Sequence, residues 1–85
     1  MRIQAEVSLY PLRTDEVGAA IESFIGGLEN QDLEVEPGPM STRITGECRN
    51  LFAKLGESFA TVADQWQVVL TAKVSNACPL EGAAE

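Results

Sequence analysis

Histidine is absent from the 85 residues. Its absence removes the commonest general base, the Ser–His and Cys–His nucleophile pairs, and the usual zinc site. Cysteine is scarce. Cys48 and Cys78 stand thirty positions apart, an unclustered pair expected to be free thiols in a reducing compartment. Basic residues are few, six against thirteen acidic, for a net charge of −7. Phosphate neutralisation needs clustered Lys and Arg, so nucleic acid is excluded as a partner, and anionic membrane surfaces with it. An acidic surface serves solubility and is compatible with a cationic ligand. No apolar run approaches the roughly 20 residues that cross a bilayer. The opening MRIQAEVSLYPL is polar at every second position and has no signal-peptide core. These absences give an expected cytoplasmic location, with no membrane insertion, metal or cofactor.

What is present is an ordinary globular composition, 45% hydrophobic, enough for a core. The length allows one domain, assigned to residues 1–79, with a flexible tail over 80–85. A domain this small buries only about 60% of its unfolded surface, which favours self-association. No tandem repeat or low-complexity segment is visible.

Hydrophobic periodicity divides the chain. Ile3, Ala5, Val7 and Leu9 alternate with Gln4, Glu6, Ser8 and Tyr10, a half-buried strand that Pro11 should close. Thr14 is placed to cap a helix carrying Val17, Ala20, Ile21, Phe24, Ile25 and Leu28, ending near Asn30. Leu33 and Val35 begin a short second strand, and Pro37-Gly38-Pro39 turns it. A third strand follows, with Thr42, Ile44 and Gly46 on one face and Ser41, Arg43, Thr45 and Glu47 on the other. Asn50 is the expected cap of a second helix with Phe52, Leu55, Phe59 and Val62 on its buried stripe. Residues 66–75 alternate again as a long fourth strand. The order β-α-β-β-α-β makes two split β-α-β units. The fold class is α+β: a ferredoxin-like four-stranded antiparallel sheet with two helices on one face. The other face is left open, wet or self-associating.

The segment GPMSTRITG (38–46) puts small polar residues where so small a domain needs apolar ones. Ser41 and Thr42 either read a ligand at a strand end or satisfy the backbone around the Pro37–Pro39 turn. Tyr10 either lines a pocket or is structural. Trp66 opens the last strand as core, interface or stacking residue. Phe24, Phe52 and Phe59 read as core. Glu6 and Glu47 are expected to approach each other on the open face, as an acid–base pair or as solvated charges beside Arg43 and Lys73. No glycine fits a phosphate-binding loop, and no anion cradle supports an acylphosphatase reading of the topology.

VSLYPL (7–12) followed by Thr14-Asp15, MSTRITG (40–46) and KVSNACP (73–79) fall in order on matching elements. In these the chain resembles the YkoF-like and single-domain thiamine-binding family, from about Ile3 to Pro79. The resemblance implies a ferredoxin-like fold that binds thiamine or its hydroxymethylpyrimidine moiety, without catalysis, in thiamine uptake or salvage. A tandem relative fuses two such domains, so one domain alone implies a homodimer or homotetramer. The implied ligand residues are Ser41 and Thr42, then Tyr10 and Ser8. Met40 and Phe52 are placed as walls and Glu6 as a carboxylate for the thiazolium. A flat aminopyrimidine needs an apolar slot and a few aimed hydrogen bonds, on the open sheet face or beside the helices. The alternative is a regulatory or structural protein-interaction module that uses the open sheet face.

Overall fold

The computed structural model describes residues 1–77. The expected tail, Cys78 and Pro79 lie outside the described residues. The elements run β1 (Arg2–Leu12), α1 (Val17–Gly26), β2 (Glu34–Pro37), β3 (Thr42–Glu47), α2 (Cys48–Ala63) and β4 (Gln67–Ser75). The strands form one antiparallel sheet in the order β2-β3-β1-β4, with both helices on one face, the ferredoxin-like arrangement. The inward residues Ile3, Ala5, Val7 and Leu9 of β1 join Ile44 of β3, Phe24 and Leu28 after them in the α1 region, and Leu51, Leu55 and Val62 of α2 in one core. That is the alternation expected of a sheet covered on one side.

The register shapes the region of interest. β1 pairs with β3 from Arg2↔Glu47 to Val7↔Thr42, but with β4 from Gln4↔Ser75 to Leu12↔Gln67. Beyond Val7, therefore, β1 and β4 continue as a two-stranded ribbon past the start of β3. β1 is an edge there, which is where proline is tolerated. This is why the strand runs through Pro11 to Leu12 instead of stopping at it.

Several further sequence expectations are corrected. Thr14 is not the cap of α1. Its Oγ1 accepts from the Glu16 amide at 3.0 Å in a turn before the helix, which begins at Val17. The helix ends at Gly26, short of Asn30, and the chain then turns through Asn30 and Asp32, each with φ 61°. At α2 the cap is Glu47, whose side chain accepts from the Arg49 amide at 3.0 Å. Asn50 instead donates to the Gln31 carbonyl at 2.7 Å, pinning the segment that leads into β2.

The buried stripe of α2 is Leu51, Leu55, Ser58 and Val62, not one through Phe52 and Phe59. Phe52 is 51% exposed. β3 passes into α2 without a loop, since Glu47 ends one and Cys48 starts the other. The strand's orientation therefore sets the phase of the helix. Finally, Glu6 lies opposite Arg43 and Lys73, while Glu47 lies opposite Arg2, so the two carboxylates do not pair.

Candidate functional site

The β2–β3 connection sits in the notch that β1 leaves when it outruns β3. Its turn is closed by the Gly38 amide donating to the Ser41 carbonyl at 2.9 Å. A Cβ at Gly38 would lie 2.9 Å from that carbonyl oxygen, so the turn needs glycine. The turn presents Met40 at 88% exposure. The Ser8 hydroxyl reaches the Met40 carbonyl from β1 at 3.4 Å. The Ser41 hydroxyl donates to Glu6 Oε2 at 2.9 Å.

Strand geometry then separates neighbours. Successive side chains point to opposite faces, so Ser41 belongs to the open face. Thr42, 7% exposed, turns toward the helices. Two hollows flank the connection accordingly. A slot of about 180 Å³ lies on the helix side, walled by Val7, Leu9, Ile21, Phe24 and Ile25, with Ser8 and Pro37–Thr42 completing its lining. A broader hollow of about 690 Å³ lies on the open face, bounded by Glu6, Glu36, Arg43, Val35 and the same turn.

Of the seven sequence candidates, Ser8, Met40, Ser41 and Thr42 gather at the slot, and Glu6, Met40 and Ser41 at the open-face hollow. Tyr10 lines neither. It is 52% exposed on the open face of the ribbon, paired with Val69. Phe52 stands apart, in the first turn of α2 at the far end of β3 from Thr42. The five residue steps from Thr42 to Glu47 separate those ends by roughly 17 Å. Sequence reading assigned Phe24, Ile21 and Ile25 to the core alone, although one side of each borders the slot. Glu36 went unread, although its place two residues before the Gly38 turn puts it opposite Arg43.

The open face is organised in rows across the strands. Glu36, Arg43, Glu6 and Lys73 face one another in register from β2 to β4, a row of alternating sign. Arg43 anchors it, with Nη2 2.8 Å and Nε 3.0 Å from Glu36 Oε1. Among the described residues, no cluster of three or more His, Cys, Asp or Glu side chains is placed to hold a metal ion. No helix of the described residues is long and apolar enough to cross a membrane.

The slot's apolar walls and the inward Thr42 thus lie on the helix side, and the Glu6 and Glu36 carboxylates lie across the turn on the open face. No curated protein sequence matches the chain. Solved structures share its fold. A hypothetical protein from Methanocaldococcus jannascii superposes with a TM-score of 0.82 at 27% identity, covering 94% of this chain and 84% of its own. A candidate thiamine biosynthesis/salvage protein from Thermotoga maritima gives 0.79 at 17% identity, covering 87% of this chain and 82% of its own. A protein from Streptococcus pneumoniae gives 0.81 at 22%, covering 88% and 86%. The model of the YKOF-related family matches residues 2–81, nearly the whole chain, and the protein belongs to that family.

Proposed function

We propose that this chain binds thiamine or its hydroxymethylpyrimidine moiety, without catalysis, in thiamine uptake or salvage, and that it does so as an oligomer. One observation carries the reading. The slot between β1, α1 and the β2–β3 turn has apolar walls and is lined as well by the inward Thr42, with Ser8 and Ser41 beside it. A pyrimidine slides between Phe24, Ile21 and Val7 and presents its donor–acceptor edge to the Thr42 hydroxyl and the turn backbone. The thiazolium of thiamine then lies toward Glu6 and Glu36, whose carboxylates border the hollow across the turn. Family membership and the thiamine-related name of the Thermotoga neighbour support the choice of ligand.

The test is a thermal-shift and calorimetric titration with thiamine, hydroxymethylpyrimidine and a plain aromatic control. The first two raise the melting temperature and the control does not. Thr42→Val keeps the shape of an inward residue and removes its hydroxyl; combined with Ser41→Ala, it abolishes the shift while leaving the circular dichroism unchanged. No shift with either compound at millimolar concentration ends the proposal.

A second reading, a protein-interaction module, is favoured by the exposed pair Tyr10 and Val69 on the open face. It predicts no thiamine effect, together with altered assembly on changing Val69 and Thr71.

A further inference from the structure

The far end of the β1–β4 ribbon carries a separate hollow of about 320 Å³, which shares no lining residue with the slot or with the open-face hollow. It forms where the link from β1 to α1 passes the link from α2 to β4. Leu12 pairs with Gln67 as the last rung of the ribbon, so strand register brings the two links together. Arg13 and Glu16 enter the hollow from one link, Trp66 and Gln67 from the other, and Leu12 completes an apolar side. Volumes of roughly 300 Å³ stand at the lower end for small-molecule sites.

The two charges of this hollow are held, but not by each other. Arg13 Nη1 donates to Gln67 Oε1 at 2.5 Å, and the Trp66 indole N–H donates to Glu16 Oε1 at 3.1 Å. Both partners are neutral. Arg13 and Glu16 do not come within ion-pair distance of each other, and among the described residues neither pairs with any other charged group. Thirteen acids to six bases make this notable, since the guanidinium rests on an amide oxygen in a chain rich in carboxylates. Each charge keeps capacity to spare: the guanidinium has further N–H donors, and Glu16 has a second oxygen. Arg13 is also held at φ 56°, a left-handed backbone. Asn30 and Asp32 share it at φ 61°, but short polar side chains favour that conformation and arginine does not. Trp66 packs against the core, and the Glu16 amide is tied to Thr14 Oγ1 at 3.0 Å, so the frame around both charges is fixed.

A ligand that satisfies both charges without drawing them together carries an opposite pair of its own, a carboxylate and an ammonium on one small molecule. The carboxylate takes the remaining donors of the guanidinium, and the ammonium takes the free oxygen of Glu16. Leu12, 40% exposed, and Trp66 leave apolar surface beside the charges. We propose that this hollow binds a free apolar α-amino acid, with its carboxylate on Arg13, its ammonium on Glu16 and its side chain against Leu12 and Trp66. A phosphate ester would meet Glu16 and the net −7 of the chain, and a simple amine would leave Arg13 without a partner. This binding function stands apart from the pyrimidine slot, and its test uses no thiamine compound.

Trp66 is the one tryptophan of the chain, so indole fluorescence reads the hollow directly. The full chain is titrated with L-leucine, with leucine methyl ester, which lacks the carboxylate charge, and with N-acetyl-L-leucine, which lacks the ammonium. Leucine is expected to give a saturable change with half-saturation on the order of 1 mM, as suits an open site with two charged contacts. The ester and the acetyl compound should each bind about tenfold more weakly, the loss of one charged hydrogen bond. Two variants assign the contacts. Arg13→Gln should bind leucine no better than its ester. Glu16→Gln, which keeps an oxygen for the indole, should bind leucine no better than N-acetylleucine. A merely structural role for either charge would leave those ratios at their wild-type values. The proposal is overturned by the absence of a saturable change with leucine, by equal responses to the three compounds, or by variants that keep the wild-type ratios. Should a variant lose its circular dichroism, the three-compound series on the wild type decides alone.

Discussion

At the residue scale, the point that matters most is the change of side between Ser41 and Thr42. The motif that carries the family resemblance makes them look like one pair of hydroxyls. Strand alternation sends one to Glu6 on the open face and the other inward beside the slot. Their removal should therefore have different signatures. Ser41→Ala frees Glu6 from its hydroxyl donor and should cost about 1 kcal/mol of ligand affinity, roughly fivefold in Kd. Glu6→Gln keeps the oxygen and removes the charge, so it weakens thiamine but leaves hydroxymethylpyrimidine, which lacks the thiazolium, unchanged. Calorimetry of both ligands on both variants checks the assignment; equal losses on Glu6→Gln contradict the role given to its charge.

A second residue-scale prediction concerns Glu47. It accepts from the Arg49 amide and pairs with the Met1 amine at 2.8 Å. The hydrogen bond from that amine, and then the Arg49 amide, hold the Glu47 carboxyl below its ordinary 4.5. The hydrogen bond to Glu47, and then its charge, raise the amine above its ordinary 8.0. A lowered acid contributes stability above its unfolded value and loses it as pH falls. A raised base contributes below its unfolded value and loses it as pH rises. The pair therefore stabilises between those limits. Glu47→Gln, which retains a capping oxygen, should melt below the wild type in that window. The difference should shrink at both ends of a pH series that extends well below 4.5 and well above 8.0. A pH-independent gap would assign the effect to capping alone.

At the scale of elements, alternation and turn chemistry made β1, β3 and the helix order readable from composition and spacing. Helix phase was not readable to the same degree. On α2, two stripes share Leu55 and Val62 and differ by one residue at the start, Leu51 against Phe52. Hydrophobicity alone favours the aromatic stripe. The loopless junction of β3 with α2 decides for Leu51, a constraint that exists only once Glu47 is known to be both strand end and cap. Chemical denaturation should show it. Leu51→Ala is expected to cost about 2–5 kcal/mol as a core truncation, whereas Phe52→Ser stays within about 0.5. The inward Ser58 on the same stripe was also missed, because its partner is far away in sequence. Its hydroxyl donates to the Phe24 carbonyl at 2.6 Å, where the helices approach. A Cβ at Gly27 would stand 2.6 Å from that hydroxyl oxygen. Gly27→Ala should therefore destabilise more in the presence of Ser58 than with Ser58→Ala, a coupling that a double-mutant cycle measures. The candidate site was legible where one strand carries it and illegible where two elements meet. The 38–46 motif pointed to the turn, but the slot wall from α1 and the row from Glu36 to Lys73 depend on register, which single-strand periodicity does not contain.

At the scale of the whole molecule, charge distribution predicts how self-association should respond to salt, and ranges decide the sign. The open face carries the alternating row from Glu36 to Lys73 and a net −1 (acids Glu6, Glu34, Glu36 and Glu47; bases Arg2, Arg43 and Lys73), so two copies that meet there attract at side-chain contact, a few ångströms. The net −6 on the rest of each copy repels over the width of the body, whose shorter extents are 24 and 19 Å. The Debye length falls from about 30 Å at 0.01 M to about 8 Å at 0.15 M. That change removes most of the long-range repulsion and little of the contact attraction. Association should therefore tighten over this interval, as read by sedimentation equilibrium in sodium chloride. If the wild type instead weakens with salt, attraction between separated patches outweighs the repulsion, and the face that joins two copies lies somewhere other than the nearly neutral sheet.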